Sequence, residues 1–187
     1  MQEMVLNEKQ IDEKINVLAK KINEDYSKFQ DIPVIVGVLK GAAPFMHDLI
    51  KKLNFPMFLD YIQISSYSGT ESTGVIHLKK DVSVSIENKR VLIIEDIIDT
   101  GTTLKYVVDY LIKKYNPKEI KTCTFIDKKP MRKVDFNPDY VGYTIYENKF
   151  LVGYGFDYNE LFRNVPYIFV PTKEDISKWD EMLENSK

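Results

Sequence analysis

The chain has 187 residues, 44% of them hydrophobic and 29% charged, with a formal net charge of -2 and a pI near 5.8. That length suits one domain with a sizeable core, and the slightly acidic balance gives no electrostatic reason to expect a nucleic-acid partner. One cysteine cannot form an internal disulfide, the start Met1 to Leu6 lacks a secretory pattern, and no apolar run approaches the roughly 20 residues of a membrane span, so a cytoplasmic protein without membrane attachment is expected.

Asn7 is placed to cap a helix running to about Phe29, with Ile11, Ile15, Leu18, Ala19 and Ile22 on one face. Residues 33–39 form a continuous apolar run of strand length, as expected of a strand buried on both faces. A helical pattern follows Gly41, from about Ala43 to Leu53. Residues 57–64 read as a strand, and 65–74 as a polar, glycine-punctuated loop of the kind that serves as a lid. A short strand is expected at 75–78. The run Val91 to Ile94 reads as a second buried strand ending at Glu95-Asp96. A helix to about Tyr115 follows, with Leu104, Val107, Val108 and Leu111 inward. Strands are expected at 118–126, 140–146, 150–154 and 167–170, and a helix at 173–183. Cys123 lies in a strand, as a small buried side chain rather than a nucleophile. This order predicts an α/β domain with a largely parallel central sheet, its two most apolar strands in the middle. Ligands of such sheets bind at the carboxyl ends of the strands, which directs attention beyond Leu39 and Ile94.

The segment from Val91 to Leu104 carries most of the chemistry. A buried strand delivers Glu95 and Asp96, then Asp99, then Thr100-Gly101-Thr102-Thr103 opens a helix. Backbone N–H groups at a helix start, beside three hydroxyls, suit a phosphate monoester. Glu95 and Asp96 are acceptors only, so they suit vicinal hydroxyls or a magnesium ion carrying phosphates. Carboxylates at the end of a buried apolar run are costly unless used. Phosphate donors at one end and carboxylates at the other fit a ribose 5-phosphate. The two histidines, His47 and His77, are too few and too scattered for a metal site, and Trp179 is expected to pack against the domain or a neighbour.

This segment resembles the phosphoribosyl pyrophosphate signature of the type I phosphoribosyltransferases, and its longer form, Ile93 to Thr103, resembles the hypoxanthine-guanine phosphoribosyltransferases. Four other segments carry the same resemblance: Leu39-Lys40-Gly41; Ser66-Tyr67; residues 126–130; and residues 150–163. The resemblance implies a core at about 34–130 and a small hood built from about 1–20 and 131–187. It implies Mg2+-dependent transfer of a phosphoribosyl group from phosphoribosyl pyrophosphate to N9 of a 6-oxopurine, with Asp99 near N7 as general base or acceptor. Glu95 and Asp96 would orient the ribose hydroxyls and Thr100, Gly101, Thr102 and Thr103 would cradle the 5-phosphate. Lys40, Gly41 and Arg163 would contact pyrophosphate, with a non-proline cis peptide before Lys40 in many members. Ser66 and Tyr67 belong to the lid. Lys128 would donate to the 6-oxo group, with the adjacent Lys129 as the alternative. Phe150 would stack on the purine, Leu151 would offer backbone groups, and Asp157 would share metal binding with Glu95 and Asp96. The resemblance also implies a homo-oligomer, dimer or tetramer. A phosphoribosyl pyrophosphate-binding regulator of the same fold is the alternative from another class. It would lack the lid, the base-reading lysine or the catalytic acid.

Overall fold

A computed structural model describes residues 2–66 and 76–186. The elements are β1 (Glu3–Leu6), α1 (Glu8–Tyr26), β2 (Val34–Leu39), α2 (Ala42–Ile50), β3 (Phe58–Ser66), β4 (Ile76–Lys80), β5 (Arg90–Ile98), α3 (Thr102–Tyr115), β6 (Glu119–Lys128), β7 (Tyr140–Ile145), β8 (Ile168–Val170) and α4 (Lys173–Glu184). Asn7 starts α1 through a capping box: its side chain accepts from the Gln10 N–H, and the Gln10 side chain accepts from the Asn7 N–H, both at 2.9 Å. The five expected apolar positions of α1 are all buried. The helix ends at Tyr26 rather than near Phe29, whose ring folds back edge-on to Tyr26 at 5.8 Å. Likewise α2 ends at Ile50, short of Leu53.

A six-stranded sheet runs in the order β4-β3-β2-β5-β6-β7. Every pairing is parallel except β3 with β4. The apolar strands β2 and β5 are central, as their composition requires, because only a strand covered on both faces can be apolar throughout. Alternation then sends Ile35, Leu92 and Ile94 to the face covered by α1 and α2, and Val34, Val36, Val91 and Ile93 to the face covered by α3. A separate two-stranded antiparallel sheet pairs β1 with β8. Nearby, Val152, Phe169 and Trp179 form a small core of their own, with Phe162 and Trp179 rings 4.1 Å apart.

Three sequence expectations need correction. First, β5 does not stop at Glu95-Asp96; it stays paired with β6 through Ile98, because backbone hydrogen bonding is indifferent to the polarity of the side chains it carries. Second, residues 150–154 are not a strand. Gly153 and Gly155 have φ of 95° and 98° and Tyr154 has 51°, so only isolated bridges form, Val152 with Phe169 and Gly153 with Phe156. Third, β1 was not foreseen: four residues with one buried side chain carry little periodicity. The lid residue Tyr67 lies outside the described residues, and Ser66 is the last residue of β3.

Asp60, on β3, is buried beneath the return from β4. Its carboxylate accepts from the N–H groups of Tyr61 (2.7 Å), Ser83 (2.5 Å) and Val84 (2.7 Å), from the Ser83 hydroxyl (3.2 Å) and from Lys80 Nζ (3.2 Å). Burial alone would raise its pKa, but the Val84, Tyr61 and Ser83 amides and Lys80 outweigh it and bring the group to about 2. A carboxyl depressed from 3.8 to about 2 contributes stability above pH 4 that is lost as pH falls towards 2. Asp60→Asn is therefore expected to lower unfolding free energy by about 2 kcal/mol at pH 7. The deficit should shrink steadily in urea titrations taken between pH 4 and pH 2, and a pH-independent deficit would exclude this carboxylate as its source.

Candidate active site

The carboxyl ends of β2, β5 and β6 meet at one side of the sheet. Leaving β2, the Leu39-Lys40 peptide is cis, and Gly41 follows. A Cβ at Gly41 would lie 1.9 Å from Asp96 Oδ2, so only glycine lets this turn approach the carboxylate. On β5, Glu95 and Asp96 are 6% and 9% exposed. Burial pushes the Glu95 pKa well up, and the adjacent Asp96 charge adds to this. Burial also raises Asp96, opposed by hydrogen bonding with Glu95, by the Ile97 N–H at 2.9 Å and by the nearby Arg163 charge. Glu95 Oε2 has no hydrogen-bond partner among the described residues. Two adjacent buried carboxyls with a free oxygen hold a site ready for hydroxyl donors or a hard cation.

Beyond β5 the chain turns through Asp99 and Thr100 into α3. Gly101 occupies the cap position with φ of 82° and no side-chain cap bond, so the cap residue itself satisfies none of the first N–H groups of α3. The Thr102 N–H donates to Thr100 Oγ1 at 3.3 Å, and the two hydroxyls lie 3.2 Å apart. Glu95, Asp96, Asp99, Thr100, Gly101 and Thr103 share the lining of one cavity of about 200 Å³. Thr102 is outside that lining.

At the end of β6, Lys128 is buried, and its Nζ lies 3.4 Å from both Asp99 Oδ2 and Asn148 Oδ1. Lys129 turns the other way, to Asp127 at 2.8 Å. Of the two lysines, only Lys128 faces Asp99. Phe150 is half exposed, edge-on to Tyr158 at 6.2 Å, whereas Leu151 is buried. In the following turn, Arg163 binds Asp157 at 2.7 Å and donates to the Gly155 carbonyl at 2.7 Å. Lys40 reaches the same turn through Glu160, at 2.9 Å. Thus the turn after β2 and the 155–163 segment are joined through Lys40, Glu160 and Arg163, with Gly41 against Asp96 of β5, while Lys128 meets Asp99 at the start of the phosphate-type loop.

A profile of the phosphoribosyl transferase domain matches residues 1–159. This chain belongs to that family. Within it, a hypoxanthine-guanine phosphoribosyltransferase of Aquifex aeolicus is 46% identical over 168 residues, covering 89% of this chain and 93% of the relative. The corresponding protein of Staphylococcus aureus is 47% identical over 171 residues, covering 90% and 92%. A crystal structure of a hypoxanthine phosphoribosyltransferase from Staphylococcus aureus superposes with a TM-score of 0.85 at 44% identity, covering 92% of each chain. As a member of the phosphoribosyl transferase family, the chain has the mixed α/β sheet of its structural neighbours.

The structure adds residues that sequence reasoning passed over. The Arg132 guanidinium binds the Asp127 carboxylate and the Phe136 carbonyl, and its Nε lies 3.4 Å from the Asp99 carbonyl. Thr100 is held from the same side, its carbonyl accepting from the Lys133 N–H at 2.9 Å. Asp127, which interrupts an apolar strand, is 1% exposed, and a carboxylate buried there calls for a cation such as Arg132. Asn148 and Glu160 carried no signal at all. Among the described residues, no group of three or more His, Cys, Asp or Glu side chains is arranged to hold an ion alone, and no helix is long and apolar enough to cross a membrane.

Proposed function

We propose that this enzyme is a purine-salvage hypoxanthine-guanine phosphoribosyltransferase, joining the 5-phosphoribosyl group of phosphoribosyl pyrophosphate to N9 of hypoxanthine or guanine and releasing pyrophosphate. The observation that carries the reading is the pair Lys128 and Asp99, 3.4 Å apart at the edge of a loop shaped for a sugar phosphate. The α3 N-terminus with Thr100, Gly101, Thr102 and Thr103 binds the 5-phosphate. Glu95 and Asp96 accept from the ribose hydroxyls. Lys40, Gly41 and Arg163 hold the pyrophosphate, where a guanidinium fork matches phosphate oxygens. Lys128 donates to the 6-oxo group, Phe150 stacks on the ring, the Leu151 backbone meets the base edge, and Asp99 receives the proton the purine loses as N9 attacks. Ser66 and Tyr67 close over the reacting centre and exclude water.

Magnesium fits the residues present. Glu95, Asp96 and Asp157 offer hard oxygen donors and Glu95 Oε2 is unpartnered among the described residues, but the three are not gathered into one group that could hold an ion alone, so substrate phosphates and water would have to complete the shell. When bound there, the ion would neutralise the leaving diphosphate. The expected hood of 1–20 and 131–187 needs narrower bounds, because α1 packs on the central sheet and β7 is part of it; in this reading the hood is the β1–β8 sheet with the small core around Trp179, and the working unit is a dimer or tetramer.

An ultraviolet assay with phosphoribosyl pyrophosphate and Mg2+, offering hypoxanthine, guanine, xanthine and adenine separately, tests the reading. Turnover of hypoxanthine and guanine but not adenine is expected, because a lysine can only donate. Lys128→Gln should lower kcat/KM for hypoxanthine by about 10–100-fold and narrow the gap to adenine, since an amide can also accept. Substrate binding without turnover of any base would favour the regulator instead.

A further inference from the structure

The two cations assigned to pyrophosphate are already occupied. Glu160 Oε2 accepts from Lys40 Nζ at 2.9 Å and from Arg163 Nη2 at 3.4 Å, so one carboxylate oxygen joins the turn after β2 to the segment beyond Asp157. Glu160 is held in place by its backbone. Its N–H donates to Asp157 Oδ2 at 2.8 Å, and Tyr158 and Leu161 exchange hydrogen bonds across it at 3.2 and 2.9 Å. Asn159 and Glu160 have φ of 49° and 70°, a conformation that long side chains rarely adopt. The side chain itself is 61% exposed, so it can leave for water without opening a cavity.

We propose that Glu160 is an internal stand-in for the diphosphate: it holds Lys40 and, beside Asp157, Arg163, and is displaced when phosphoribosyl pyrophosphate or pyrophosphate arrives. This rests on the phosphoribosyltransferase reading. One carboxylate oxygen shared by two cations can hold them against a singly charged anion but is outcompeted by a diphosphate, which offers several oxygens and more charge. The stand-in therefore rejects weak anions, keeps two cations from repelling each other before substrate binds, and competes for them again when pyrophosphate leaves.

The test is a calorimetric titration of pyrophosphate, with Mg2+ present, into the full-length protein and its Glu160→Gln and Glu160→Ala variants, with GMP titrated as the control. Pyrophosphate should bind both variants roughly three- to tenfold more tightly, the scale of two exposed ion pairs, with GMP affinity unchanged. In steady state, KM for phosphoribosyl pyrophosphate should fall. Damage to the turn would do the opposite and weaken pyrophosphate binding, so unchanged or weaker binding in both variants overturns the proposal. Failure of the unsubstituted protein to bind pyrophosphate at all overturns the phosphoribosyltransferase reading as well, and that outcome is separable because it needs no variant.

Discussion

Asp99→Asn is expected to lower kcat with hypoxanthine by about 10²–10³-fold while the protein remains folded. The two halves of this expectation come from different atoms of one residue. The Asp99 carbonyl, which receives Arg132 Nε at 3.4 Å, is backbone and survives the substitution, so the junction between the phosphate-type loop and the 132–134 segment is kept. The side chain changes in charge but hardly in volume. Oδ1 has no hydrogen-bond partner among the described residues, and Oδ2 has only Lys128, at 3.4 Å. A carboxylate in that state is kept for a ligand, because an unpartnered buried acceptor costs about 1–3 kcal/mol. The amide cannot take the proton that the purine loses, and it leaves Lys128 without its counter-charge. Steady-state kinetics beside a thermal melt would separate the effects. A loss confined to KM would reassign Asp99 to base binding, and an unchanged kcat would remove it from the proton transfer.

Gly155→Ala should disable the protein through the backbone. A Cβ at Gly155 would lie 2.1 Å from the Gly41 carbonyl oxygen, and the residue has φ of +98°. Neither problem is soluble by rotating a side chain, since the obstacle is main chain and the conformation is hostile to any L side chain. The contact joins the turn that carries Lys40 to the segment that carries Asp157 and Arg163. We expect a stability loss of about 3 kcal/mol and, in whatever folds, a KM for phosphoribosyl pyrophosphate raised at least tenfold. Urea titration and initial-rate kinetics on the same preparation check both. An alanine variant with native stability and native KM would show that the two segments do not meet in solution.

Much of the fold is legible in the chain. Apolar runs at 34–39 and 91–94 fix the two central strands, because only burial on both faces tolerates such composition. The five apolar positions of α1 and the Asn7 cap are local patterns that survive folding unchanged. The boundaries that failed were those decided elsewhere. Whether β5 ends at Ile94 or Ile98 depends on the length of β6 beside it. Residues 150–154 have strand composition, yet positive φ values at Gly153, Tyr154 and Gly155, where the chain passes Tyr167 and Gly41, prevent a ladder.

The candidate site divides along the same line. By itself the sequence determined which residue types stand at the strand ends: the acids Glu95, Asp96 and Asp99, the threonine-glycine loop, a lysine pair at 128–129 and an arginine at 163. These are contiguous motifs, and motif chemistry depends on neighbours a few positions away. Only the tertiary structure shows that Lys128 reaches Asp99 while Lys129 turns to Asp127, since this depends on where another strand delivers Asp99. It alone brought Arg132 back beneath the phosphate-type loop and set Glu160 between Lys40 and Arg163, groups 120 residues apart in the first case. Pairing of charges across such separations follows from where the sheet delivers each strand end, and no local pattern encodes it.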